Sequence, residues 1–140
     1  MISIENNSDL LSFLERVDSF HDAIIRHCIL LARGHVDSQR CMHQDLGPFD
    51  AMVLVQTQFA DLPGVEIAFD GVTRFSIGQP ADLEPQGIVQ GDEIRFSFAG
   101  SLEPIPDVIA AGMRYRLLDA SCLGPEARCS EPPGTGQVSE

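Results

Sequence analysis

Seven side chains in the first third of the chain could do chemistry: His21, Asp22, His27, Cys28, His35, Cys41 and His43. Zinc takes four nitrogen or sulfur ligands, usually as two close pairs. The tight pair here is Cys41-Met42-His43, which His35 can join across a polar loop, and no C-x-x-C occurs anywhere. A fourth ligand would have to come from elsewhere. His35, Cys41 and His43 therefore define a metal-binding alternative, a small metal-binding protein or enzyme built on the loop around residues 35–43. The plainer reading is a solvated polar loop.

His21-Asp22 has the composition of an acid–base dyad. On a strand, consecutive side chains point to opposite faces, which would keep the two apart. There is no G-x-S-x-G, and Cys28 lies in an apolar stretch that disfavours the thiolate. The expectation is that Asp22 serves backbone N–H groups at an element start, while His21 packs at a helix–sheet junction. No catalytic residue and no cofactor are assigned from these residues. Arg114 and Arg116, two apart on one strand face, could grip an anion, but pairing across to an acid is the simpler expectation.

Charge points further. In 140 residues there are 21 acids and nine bases, a net charge of −12, and all nine bases are arginine. The balance argues against nucleic acid as a direct partner, because phosphate binding needs a basic footprint. The missing lysine also rules out Schiff-base chemistry and a lysine-bearing phosphate loop. The acid excess is uneven. Asp61, Glu66, Asp70, Asp82, Glu84, Asp92 and Glu93 fall in one 33-residue stretch with Arg74 as its only base, seven against one, or −6. Such a stretch either keeps a surface soluble or steers a basic protein partner.

The elements that must position these residues are short. Asn7 to Val17 opens on capping residues, and Leu10, Leu11, Phe13, Leu14 and Val17 recur at helical spacing. Ala23 to Arg33 fits either a helix or a strand and is read as a strand buried on both faces, ended by Gly34. Residues 35–48 read as a loop. Met52 to Phe59 alternates as a strand. Leu62-Pro63-Gly64 reads as a turn, and Val65 to Phe69 as a strand. Asp70-Gly71 is the strongest hairpin-turn dipeptide in the chain, with Val72 to Ile77 returning. Gly87 to Gln90, Ile94 to Phe98 and Ile109 to Leu118 supply further strands. The expected fold is α+β and β-dominated, a short N-terminal helix followed by an antiparallel sheet of about six strands.

A single globular domain over residues 1–123, followed by a Pro/Gly-rich mobile tail over 124–140, accounts for the length. No apolar run approaches the ~20 residues of a membrane helix, so no membrane is expected. The start lacks a basic and apolar leader, and the four cysteines are sparse for a disulfide scaffold. A cytoplasmic protein with reduced thiols is expected; Cys122 and Cys129 would close a small loop only under oxidation.

Ser19-Phe20-His21-Asp22-Ala23-Ile24-Ile25 resembles the S-F-H-D-A-x-I stretch near the N-terminus of some small bacterial proteins, among them the immunity protein 50-like group of polymorphic toxin systems. The likeness continues in outline through Phe69-Asp70-Gly71-Val72 and Tyr115 to Asp119. What the resemblance implies is a non-enzymatic protein that neutralises a toxin, with Phe20, His21 and Asp22 carried over as structural markers only. The charge pattern is compatible with a basic toxin as partner. The candidate contact residues are then Asp61, Glu66, Asp70, Asp82, Glu84, Asp92 and Glu93. A homodimer through an exposed strand edge is a third expectation.

Overall fold

The computed structural model describes residues 1–59, 61–78 and 82–119. The expected tail at 124–140 lies outside the described residues, as do Cys122 and Cys129. The helix forms where its caps and apolar spacing put it, as α1 (Asn7–Arg16). The Asn6 side chain accepts the Asp9 N–H at 2.8 Å, and the Asp9 carboxylate accepts the Glu5 N–H at 2.9 Å, so two otherwise unpaired donors are satisfied.

Among the described residues there are nine strands: β1 (Ile2–Ile4), β2 (Ile24–Leu31), β3 (His35–Val36), β4 (Met42–His43), β5 (Phe49–Phe59), β6 (Leu62–Phe75), β7 (Gln86–Gln90), β8 (Glu93–Ser97) and β9 (Val108–Leu118). Seven of them build one antiparallel sheet in the order β2-β5-β6-β9-β8-β7. Strand β1 pairs with β9 beyond the end of β8, and β3 and β4 form a separate two-stranded ribbon. The fold is thus α+β and β-dominated.

The core lies between α1 and one sheet face. Leu10, Phe13 and Val17 of the helix, with Phe20, meet Val53, Val55, Val65, Ile67, Phe69, Phe96, Met113 and Tyr115. Phe13 packs edge-on to Phe20 at 5.8 Å between ring centroids and against Tyr115 at 4.5 Å. The other face carries Leu54, Glu66, Ala68, Asp70, Arg114 and Arg116, as their cross-strand registers require. No described helix is long and apolar enough to cross a membrane.

Three expectations are corrected. Asp70-Gly71 is not a hairpin turn, because β6 runs on through it. Phe49 pairs with Val72 and Ala51 with Phe69, so Asp70 and Gly71 together oppose Asp50 in a β-bulge. Gly71 supplies the positive φ of 63°, the same conformation a hairpin would have needed. Leu62-Pro63-Gly64 likewise opens β6 instead of forming a turn. Strand β2 exists, but it is the outermost strand of the sheet and alternates between half-buried and exposed residues. A bulge between Ile25 and His27 puts Ile25 on the core side and His27, Ile29 and Leu31 on the other.

Candidate functional site

The segment carrying His21 and Asp22 is neither strand nor regular helix. Asp18, Ser19 and Phe20 have φ of 50°, 49° and 55°, three successive residues in the left-handed region, and Asp22 follows at 57°. Each non-glycine residue held there costs about 1 kcal/mol or more, because Cβ crowds its own carbonyl. The turn survives because its surroundings hold it. The Phe20 side chain is fully buried in the core. Backbone N–H groups of Phe20, His21 and Ala23 donate to the carbonyls of Val17, Asp18 and Phe20 at 2.9, 3.0 and 3.1 Å.

This geometry reverses the expectation for the dyad. His21 and Asp22 turn to the same side, with His21 Nε2 3.2 Å from Asp22 Oδ2, and both side chains are largely exposed. Neither packs at the junction; Phe20 does.

Facing the turn is the segment leading into β7. Leu83 and Pro85 are buried, while the Glu84 N–H donates to the Phe98 carbonyl at 2.8 Å and the Gly100 N–H donates to the Glu84 carbonyl at 3.2 Å. Between the two lies an open cleft of about 630 Å³, lined by Asp18, Ser19, His21, Leu83, Glu84, Pro85 and Gln86. Its rim carries two carboxylates, a hydroxyl, an imidazole and an amide, and among the described residues no arginine lines it.

The seven acids of the charged stretch do not form one surface. Glu66 is buried on the sheet face opposite α1, 2.7 Å from Arg116. Asp70 pairs with Arg114 through two hydrogen bonds at 3.0 and 3.1 Å. Glu93 pairs with Arg95 at 2.8 Å. Asp61 sits at the β5–β6 connection and Asp92 at the β7–β8 turn. Only Asp82 and Glu84 belong to the segment that borders the cleft, where they join Asp18, an acid the charge count passed over. The spacing gave no hint of this, because Asp18 lies more than 60 positions away in sequence.

Around the β6 bulge a second polar cluster forms. Asp50 Oδ1 accepts the Gly71 N–H at 3.1 Å and a hydrogen bond from Arg33 at 2.9 Å. The Arg33 hydrogen bond holds the Asp50 carboxyl below the usual carboxylate range against its partial desolvation, and the Gly71 N–H adds to the effect. Arg114 is held more firmly protonated by its hydrogen bond to Asp70. Every charge in this cluster has a partner, so it reads as a brace across β5, β6 and β9.

The expected metal loop is the ribbon of β3 and β4. His35 and His43 face each other with rings stacked at 4.7 Å, and His43 Nε2 contacts Asp37 Oδ2 at 2.9 Å. Asp37 Oδ1 accepts the N–H groups of Gln39 and Cys41, both at 2.9 Å. The His43 hydrogen bond is the main cause of the Asp37 carboxyl lying below its ordinary range. Among the described residues no three His, Cys, Asp or Glu side chains converge to hold a metal ion. His27 and Cys28 are on β2, where burial pushes the Cys28 thiol pKa up.

Compared with protein-family models, with curated proteins and with solved structures, the chain finds no counterpart. The strained turn and the cleft beside it form the candidate site, where polar side chains from two distant segments line one concavity.

Proposed function

We propose that this chain is a non-enzymatic, acidic protein-binding module of the immunity type, acting in the cytoplasm. It binds and neutralises a basic protein by receiving an arginine or lysine side chain in the cleft between the left-handed turn and residues 82–86. The observation that carries the reading is that Asp18 and Glu84 both line a cleft without a lining arginine. Elsewhere, Glu66, Asp70 and Glu93 already have guanidinium partners of their own. An incoming cation gains most where carboxylates are not already neutralised, and a field of this sign also speeds encounter. The resemblance to the immunity protein 50-like group rests on Ser19 to Ile25, and Ser19 and His21 line this cleft.

The test begins with capture of a partner on tagged protein at low ionic strength, followed by association rates. Asp18→Asn with Glu84→Gln should slow association several-fold and flatten its salt dependence, while Asp92→Asn with Asp61→Asn leaves both nearly unchanged. A captured partner that is acidic, or equal rates in the two double variants, overturns the cleft as the contact.

A further inference from the structure

The outer edge of the sheet suggests a second surface, independent of the cleft. Strand β2 has β5 on one side only, and among the described residues no strand pairs with its outer edge. Unpaired edge N–H and C=O groups are a template for another strand, which proteins usually blunt with charge. On β2 the blunting is confined to its N-terminal half, where Arg26 lies at the bulge between Ile25 and His27. Residues 23–36, between Asp22 and Asp37, form the longest run of the chain without Asp or Glu, in a protein where 21 of 140 residues are acidic. The five residues Cys28 to Ala32 carry no charge at all.

Apolar surface accompanies the edge. Ile24, Leu30 and Leu31 are each about half exposed, and Leu46 is 92% exposed. Leu30, Ala32, Leu46, Pro48 and Phe49 line a shallow groove of 320 Å³ at the end of the strand. Stable interfaces bury about 800 Å² per partner, more than eight residues of edge backbone supply alone. The leucines and the groove beside them add to that area.

We propose that β2 pairs antiparallel with β2 of a second copy, giving a two-fold dimer with one continuous sheet. The occupant follows from charge. At −12 per chain, two copies repel almost everywhere, and the acid-free edge is where they approach at least cost. Antiparallel pairing of a strand with itself is self-complementary, as an isologous interface requires. Arg33, at one end of the stretch, is already neutralised by Asp50 at 2.9 Å. In such a pairing the Leu30 end of each strand lies beside the half-exposed Ile24 end of the other, so apolar side chains meet at both ends of the seam.

Sedimentation velocity over a wide concentration range, with hydrogen exchange at both extremes, tests this on the full chain. The expected result is a reversible dimer in which β2 amides gain protection at high concentration. Leu30→Glu should weaken the dimer at least tenfold. Leu11→Glu, at an equally exposed helix position, should leave it unchanged, and circular dichroism would verify that both variants fold. A monomer at every concentration overturns the proposal. So does a dimer whose β2 amides exchange as fast as in the monomer, or one that Leu30→Glu leaves intact.

Discussion

Replacing Gly71 by alanine tests the reading of Asp70-Gly71 as a bulge. Two costs are separable. At φ 63° an alanine meets its own carbonyl, which costs about 1 kcal/mol. Its Cβ would also lie 2.9 Å from Ala111 Cβ on the neighbouring strand β9, closer than carbon atoms approach without moving a backbone. Overpacking of this kind costs about 1–3 kcal/mol, so Gly71→Ala should destabilise the fold by about 2–4 kcal/mol in total. Ala111→Gly removes the opposing methyl and on its own should cost about 0.5–1 kcal/mol. Combined, the two substitutions should cost less than their sum by about 1–3 kcal/mol, because only the conformational part of the first remains. Urea unfolding followed by far-UV circular dichroism measures all four corners of the cycle, which suits a chain without tryptophan. A Gly71→Ala variant within about 0.5 kcal/mol of the parent would refute the positive φ, and strict additivity would refute the close approach to Ala111.

Phe13→Ala, which empties a fully buried ring position between Phe20 and Tyr115, should cost about 3–5 kcal/mol by the same unfolding assay. Asn6→Ala should cost about 1 kcal/mol through loss of the cap on Asp9, and Asn6→Asp much less. Asp50 has a lowered carboxyl pKa in the fold, so its contribution is present above the ordinary carboxylate pKa and is lost as pH falls through the folded value. Asp50→Asn should therefore flatten the acid limb of a stability–pH curve, and an unchanged limb would count against the Arg33 bridge. With Cys122 and Cys129 replaced by serine, Cys41 should alkylate faster than Cys28 at neutral pH, since burial raises the Cys28 thiol pKa. Peptide mapping after a short pulse of iodoacetamide reads the ratio.

Where local chemistry and tertiary structure agree, the residues announce the element. Capping residues and apolar spacing mark α1, and strict alternation marks β8 and β9. Strand β1 escapes because three residues show no period; it exists through pairing with Met113 to Tyr115. Asp70-Gly71 misleads because a hairpin and a bulge ask the same thing of the backbone, and only the partner strand decides between them. The position of β2 at the edge is equally invisible, since burial depends on which strands lie beside it. For the candidate site, Ser19 to Asp22 could be singled out by resemblance. Its left-handed path is marked only by Asp18 and Asp22, a residue type that tolerates positive φ, with no glycine or asparagine beside them, and Asp18 and Glu84 come to one cleft only in the fold.

Twelve glycines are spread along this chain, yet none stands at residues 18–22, where four residues hold positive φ. A glycine at Asp18 or Ser19 would relax the backbone and raise stability at the expense of a carboxylate or a hydroxyl. The fold thus holds a reserve of stability that side-chain chemistry at this turn keeps out of reach. Ser19→Gly should melt higher than the parent, and whatever such a chain can no longer do identifies what the serine is for.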